Sequence, residues 1–217
     1  MRLLICCLLL ISASPVTAGA WLREKGTHFS SITLRWLEDR GDGSDGYEFA
    51  FYHTWGLRDD LTLGIDIGAS ASGLDKAMAF AQVPIVLKTG RVRLSAIVGI
   101  GTVSRSFAVR PSLAIGTSYE IAGMHGWFEV VPALEYDSDR QRVDAKLDVT
   151  LGLNTSENSK VYGQFFSSTS AEGKIHTRFE GSYVRRIKGR TLLDVGFSKG
   201  LVTQHDIRLK LGVWTEF

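Results

Sequence analysis

Cysteine does not occur anywhere in the 217-residue sequence after Cys7. The two cysteines, Cys6 and Cys7, both lie in the amino-terminal stretch that we expect to be removed. The remaining chain therefore has no disulfide framework, no cysteine-ligated metal site and no cysteine nucleophile. A chain without thiols also cannot form wrong disulfides in an oxidising compartment.

The sequence also lacks a large excess of charge of one sign, and it lacks long apolar runs after residue 20. The sequence has 25 Lys and Arg against 23 Asp and Glu, a net charge of +2, so we expect no basic face and no nucleic-acid partner. After residue 20 no run of 18 apolar residues occurs, which argues against a membrane-spanning helix. With 44% hydrophobic residues, the chain is too apolar to be disordered.

The first 18 residues have the pattern of a secretory signal peptide. Met1 and Arg2 give a positively charged start, an apolar core extends from Leu3 to Ile11, and Ala18 ends the small-residue sequence Val-Thr-Ala. A membrane anchor would need about twice that apolar length. We therefore predict cleavage after Ala18, with residues 1–18 as signal peptide and residues 19–217 as a single mature domain beginning at Gly19.

Apolar residues recur at every second position from Thr27 onward, which is the period of a β-strand. Helical spacing is nearly absent. Clusters of Gly, Asp, Asn and Ser divide the pattern into segments. Twelve strands are predicted, with ten as the alternative count: 27–37, 46–57, 60–71, 76–88, 91–102, 109–120, 126–137, 141–153, 159–169, 173–185, 190–199 and 205–217.

The two faces of these strands differ in polarity. After Gln141, apolar residues such as Leu147 alternate with charged residues such as Lys146 and Asp148. A charge costs about 2 to 4 kcal/mol at the middle of a bilayer, so the apolar face is expected to meet lipid and the charged face the lumen. Aromatic residues gather at both strand ends, as in interfacial girdles: Trp55, Tyr119, Phe128, Tyr183 and Phe217 at one end, and Trp36, Tyr47 and Tyr136 at the other. These features predict an all-β fold, a transmembrane antiparallel up-and-down β-barrel.

The last predicted strand ends in Phe217. In this the sequence resembles the Gram-negative outer-membrane β-barrel proteins, whose last strand ends in an aromatic residue that the barrel assembly machinery reads. The resemblance covers the mature chain as a pattern and indicates a superfamily, not one member. It implies export by the general secretory route to the outer membrane, contact with lipid and lipopolysaccharide, the assembly machinery as a partner during biogenesis, and termini in the periplasm. The oligomeric state stays open.

Charged residues on the inward face are the candidate functional residues. Predicted lumen-lining residues are Arg35, Glu48, Asp66, Arg91, Arg93, Glu120, Glu129, Glu135, Arg142, Asp144, Lys146, Asp148, Arg178, Glu180, Asp194, Arg208 and Lys210. Tight hairpins would place Glu135 opposite Arg142 and Asp194 opposite Arg208. Because both signs are interleaved, no strong ion preference is expected.

The bore is expected to be narrow. Twelve strands lie between an eight-stranded barrel, which side chains fill, and a sixteen-stranded barrel, which holds a channel. The inward Met78, Phe80, Trp127 and Trp214 are large, and the stretch before Thr27 is too short for a plug domain.

The sequence favours a narrow channel of mixed charge for passive transport of small solutes, without cofactor or metal. One alternative is a non-conducting barrel that acts structurally or as a binding surface. The third is a lipid-modifying enzyme, because His28 and Ser30 resemble the His-x-Ser pair of outer-membrane lipid hydrolases. We predict no catalytic activity, since this pair is expected at the periplasmic end of the strand.

Overall fold

A computed structural model of the chain describes residues 19–37, 46–85, 92–202 and 206–217. The regular structure of these residues consists of strands alone. They are β1 (His28–Leu37), β2 (Gly46–Arg58), β3 (Leu61–Ser70), β4 (Gly73–Pro84), β5 (Val92–Val103), β6 (Ser106–Ile121), β7 (Met124–Asp137), β8 (Arg142–Ser156), β9 (Ser159–Thr169), β10 (Ile175–Lys188), β11 (Thr191–Val202) and β12 (Ile207–Glu216). Among the described residues, no helix has the length and apolarity needed to cross a membrane.

The twelve strands form one closed antiparallel barrel, in which each strand pairs with its neighbours in the sequence and β1 pairs with β12. The seam between the first and last strands extends to the final residue. His28 donates its N–H to the carbonyl of Phe217 at 3.1 Å, and Phe217 donates to the carbonyl of His28 at 2.9 Å. Closure pairs both edges of each of the twelve described strands, as a barrel in lipid requires. The predicted count of twelve is confirmed, and the alternative of ten is wrong.

The start of β1 and the end of β12 lie at the same opening of the barrel. We call this opening the termini mouth and the opposite one the far mouth.

The alternation of polar and apolar residues along each strand corresponds to the inner and outer faces of the barrel wall. Large apolar residues point outward, among them Leu147 and Leu209, whereas buried inward positions are mostly polar, as at Ser95 and Glu180. The outward aromatic residues form two girdles. Trp55, Phe128, Tyr183 and Phe217 lie at the termini mouth, and Trp36, Tyr47 and Tyr136 at the far mouth.

Strand limits differ from the prediction by two to four residues at several hairpins of both mouths. β4 begins at Gly73, not at Lys76, and β6 begins at Ser106, not at Val109. The turn between β5 and β6 contains only Ser104 and Arg105, with φ of 50° and 69°. Residues other than glycine seldom adopt positive φ, and two-residue hairpin turns most often have the sequence Asn-Gly or Asp-Gly. This turn has neither sequence, so the alternation pattern gave no signal for it.

Candidate functional site: the lumen and its termini mouth

A buried polar network, which we call the central network, connects five strands on the inner wall. Arg35 donates to both carboxylate oxygens of Glu180, at 2.6 and 3.0 Å. Lys210 Nζ lies 3.2 Å from Glu180 Oε2 and 3.3 Å from Asp194 Oδ2. Tyr162 donates its hydroxyl to Asp194 at 2.7 Å and accepts a hydrogen bond from Lys210, also at 2.7 Å. Each charge in this network therefore faces an opposite charge.

A second polar network connects β3, β4, β6, β7 and β8. Lys76 Nζ lies 2.7 Å from Asp66 Oδ2, and Arg110 Nη1 lies 3.7 Å from the same oxygen. Arg110 Nε donates to Glu135 at 2.7 Å, while Lys146 Nζ pairs with the other oxygen of Glu135 at 3.0 Å. Lys76 and Arg110 are absent from the sequence-based set of lumen residues, although their positions in the alternation point inward.

Charged residues at the far mouth are also paired. Arg208 contacts both Glu48 and Asp206, and Arg178 Nη2 lies 3.8 Å from Asp206 Oδ2. Burial alone would raise the pKa of Asp206, but the hydrogen bond and charge of Arg208 hold the pKa below its ordinary value. Arg178 also donates to Ser198 at 2.9 Å.

The remaining predicted lumen residues form no hydrogen bond or ion pair with these networks among the described residues. Arg142 pairs with Asp144 at 3.4 Å beside the far mouth. Strand register places Arg93, Glu120, Glu129 and Asp148 on the inner face, with Glu120 exposed at the termini mouth. Arg91 lies outside the described residues.

Both predicted cross-strand pairs are wrong. Glu135 lies opposite Asp144, and Arg142 lies opposite Asp137. The β7–β8 turn is centred one residue later than we expected, which moves each partner by two positions. Likewise, Asp194 faces Gly212, while Arg208 faces Ser198. The β11–β12 hairpin is therefore centred two residues later than predicted.

The stretch before β1 enters the barrel, which the sequence analysis did not anticipate. We call residues 19–26 the amino-terminal segment. Its start is fixed on the wall opposite β1: Ala20 donates its N–H to the buried carboxylate of Glu129 on β7. The carbonyl of Gly19 accepts hydrogen bonds from Gln82 on β4 and from Ser95 on β5, the latter at 3.2 Å. The segment thus lies across the termini mouth.

Polar side chains of β2 and β3 hold the middle of the segment. The N–H of Arg23 donates to Thr62 at 2.8 Å, and its guanidinium Nε donates to Thr54 at 3.1 Å. The same guanidinium lies over the ring of Phe29, 4.7 Å from its centroid. Between the segment and this wall is a polar hollow of about 10 Å³, which is space for about one water molecule.

An apolar cluster faces the segment from the other side of the termini mouth. The buried residues of this cluster are Trp127, Tyr162, Val184 and Leu192, against which Trp21 and Trp214 pack. The cluster places apolar side chains on inward positions of β7, β9, β10, β11 and β12. Inward apolar residues are thus concentrated where Trp21 enters, and they give the amino-terminal segment a hydrophobic contact.

Gly116 on β6 is a point at which the segment packs closely against the wall. A Cβ at this position would lie 2.6 Å from both the Cβ of Ala20 and the ring of Trp21. These separations are far below van der Waals contact. The close packing at the termini mouth therefore depends on glycine at position 116.

A polar pair on the outer face bears on the enzyme alternative. Ser30 Oγ and His53 Nδ1 lie 2.7 Å apart, and the His28 ring stacks on Trp55. Ser30 thus contacts His53, its direct partner on β2, and not His28. In the described part of the chain, neither histidine hydrogen-bonds to a carboxylate, so the acid that orients the base in a nucleophile–base pair is missing.

Within residues 19–37, 46–85, 92–202 and 206–217, no group of three or more His, Asp or Glu side chains is placed to hold a metal ion.

A closed antiparallel wall with an apolar exterior and a charged interior confirms the barrel fold predicted from the sequence. Solved structures share this fold. The KdgM porin in complex with disordered oligogalacturonate matches over 86% of this chain and 99% of its own, with 10% identity and a TM-score of 0.63. The COG4313 outer membrane channel from Pseudomonas putida F1 matches over 93% of this chain and 99% of its own, with 12% identity and a TM-score of 0.60. The NanC porin matches over 87% of this chain and 98% of its own, with 7% identity and a TM-score of 0.61.

At such low identity the likeness concerns the fold alone. No protein-family model matches the chain, and the comparison with curated proteins also finds no match.

Proposed function

We propose that the protein is an outer-membrane channel for the passive transport of small solutes, with a termini mouth closed by the amino-terminal segment. The observation that carries the proposal is the contrast between the two faces of the closed wall. Charged and hydroxyl-bearing side chains line the interior, whereas apolar side chains cover the exterior. A polar lumen inside a lipid-facing barrel is the arrangement of a water-filled pore.

The names of similar structures support this proposal. The two porins and the channel named above share the fold with TM-scores of 0.60 to 0.63. The KdgM porin was solved with an oligogalacturonate, which illustrates that a barrel of this shape can accommodate an elongated solute.

We expect little preference between cations and anions. The cations of the central network, Arg35 and Lys210, are matched by Glu180 and Asp194, and the far mouth pairs Arg208 with Glu48. Opposite charges held within hydrogen-bonding distance largely cancel in their effect on a passing ion.

Placement in the outer membrane is part of the proposal. The mature chain would be exported after cleavage at Ala18, and Phe217 would be read by the assembly machinery. The exposed outer band, including Leu209 and Leu211, would contact the lipid and the acyl chains of lipopolysaccharide.

Conductance in planar bilayers tests the proposal. We would compare the mature chain with a variant that lacks residues 19–26. The mature chain should show rare or small openings, whereas the truncated chain should conduct steadily, with a cation-to-anion permeability ratio near one. Steady conductance of both chains would contradict closure by the segment, and silence of both would contradict the channel.

A non-conducting barrel is the second candidate, and a specific observation favours it. The apolar cluster around Trp127 and the segment with Trp21 together occupy the termini mouth. If the truncated chain folds and inserts but does not conduct, a structural or surface-binding role is favoured.

A further inference from the structure

Glu129 carries a deeply buried carboxylate. Its side chain is 6% exposed on the inner face of β7. It accepts hydrogen bonds from the backbone N–H groups of Gly19 and Ala20. No ion pair among the described residues includes Glu129. A carboxylate buried without a positive partner is costly, which raises the question of where its partner comes from.

The predicted cleavage site lies at the same place. The sequence predicts that the bond between Ala18 and Gly19 is cut, and the nitrogen of that bond is one of the two that contact Glu129. These observations are independent, because the cleavage site was assigned from the pattern of small residues, whereas the contact is a feature of the fold.

Hydrolysis changes the chemistry of this nitrogen. Water adds across the peptide bond, its hydroxyl joining the carbonyl carbon of Ala18, which leaves as a carboxylate. The nitrogen of Gly19 takes up protons and becomes an ammonium group. A single N–H donor is thereby replaced by three donors and a positive charge, and charged hydrogen bonds are about twice as strong as neutral ones.

We propose that signal-peptide cleavage after Ala18 creates the cation that Glu129 lacks, and that the resulting ion pair locks the amino-terminal segment across the termini mouth. Processing would then both release the chain and close the barrel. The proposal concerns the closure itself and stands whether or not the barrel conducts.

The surroundings of Gly19 favour this latch over a loose contact. Its carbonyl is held by Gln82 and Ser95, so the polar groups on both sides of its Cα are fixed. A Cβ at position 19 would lie 3.2 Å from Glu129 Oε1, which is tighter than ordinary contact. Glycine therefore lets the first residue of the mature chain approach the carboxylate closely.

The first experiment measures the reactivity of the α-amine. The intact mass of protein purified from outer membranes should correspond to a chain that begins at Gly19. A water-soluble amine reagent, quantified on the amino-terminal peptide, should label Gly19 about tenfold more slowly in the wild type than in Glu129→Gln, since 1.4 kcal/mol of stabilisation is a factor of ten. Glu157→Gln, an exposed residue in the β8–β9 turn at the same mouth, should label like the wild type.

A second variant avoids changing the inner wall. A mature chain that retains Ala18, released from a cleavable fusion and refolded in detergent, carries its ammonium one residue beyond Glu129. Trypsin should cut after Arg23 faster in this chain than in the chain beginning at Gly19. A mature chain that begins at another residue, or equal labelling in wild type and Glu129→Gln together with equal trypsin cleavage of the two refolded chains, would overturn the latch.

Discussion

Ala20 donates its backbone N–H to the carboxylate of Glu129, 109 residues further along the chain. Five strands lie between β7 and β1 in either direction around the barrel, so this contact joins opposite walls. The contact holds the amino-terminal segment, which precedes β1, across the termini mouth.

Close packing at Gly116 makes the segment sensitive to one methyl group. We expect Gly116→Ala to displace Ala20 and Trp21 from the lumen, because the added Cβ would lie 2.6 Å from both. The displaced segment should be cut by trypsin after Arg23, and the barrel should open more often in planar bilayers. Gly68→Ala is the matched control: its Cβ also faces the lumen but meets only Lys76, at 3.6 Å or more. Equal behaviour of the two variants would argue against tight packing of the segment.

The two faces of β8 can be compared with the same introduced side chain. Leu147→Arg places a charge on the outward face and should cost about 2 to 4 kcal/mol of barrel stability. Lys146→Arg lies one residue away on the inward face and keeps the charge that pairs with Glu135, so it should change stability by less than about 0.5 kcal/mol. Urea unfolding in lipid vesicles measures both. Similar values would contradict the assignment of the faces.

Breaking the central network should be costly. Glu180 is 1% exposed and contacts both Arg35 and Lys210. Glu180→Gln leaves these two cations without their shared carboxylate, so we expect a loss of about 3 to 5 kcal/mol in the free energy of unfolding. The pair of Glu172 and Lys174 is solvent-exposed. Glu172→Gln should therefore cost at most about 1 kcal/mol, and an equal loss in both variants would contradict a buried network.

Phe217 should matter for assembly in cells more than for the stability of the folded barrel. Its ring is 56% exposed, whereas its backbone pairs with His28. Phe217→Ala keeps that pairing, so the purified chain should refold in detergent while cells accumulate less heat-modifiable barrel. Phe107→Ala removes an equally exposed outward ring at the far mouth and should assemble normally. Normal assembly of Phe217→Ala would remove the support for an assembly signal.

Strand number and the orientation of side chains were predictable because a period of two is a local property. Within each strand, polar residues on the inward face alternate with apolar residues on the outward face, as Lys146 and Leu147 illustrate. Register was less predictable. A single misplaced turn residue shifts every partner along a hairpin by two, which is why Glu135 faces Asp144 and not Arg142.

The amino-terminal segment was missed because its contacts are far apart in sequence. Gly19 contacts Gln82, and Ala20 contacts Glu129, over separations of 63 and 109 residues. A signal nevertheless existed. Trp127 and Trp214 occupy inward positions near the termini mouth, where a pore wall should be polar, and Trp21 follows the predicted cleavage site closely. Inward aromatic residues at one end of a barrel indicate that something packs there.

Accessibility of Ser95 tests the closed mouth most directly. Ser95 is fully buried and donates its hydroxyl to the carbonyl of Gly19. The mature chain has no cysteine, so Ser95→Cys introduces a single thiol of similar size, and Ser118→Cys provides a control at an exposed inward position near the same mouth. We predict that a water-soluble maleimide labels Ser95→Cys at least about tenfold more slowly than Ser118→Cys, and that deleting residues 19–26 abolishes the difference; a tenfold ratio corresponds to 1.4 kcal/mol. Equal labelling of the two thiols in the intact mature chain would contradict a barrel closed by its amino-terminal segment.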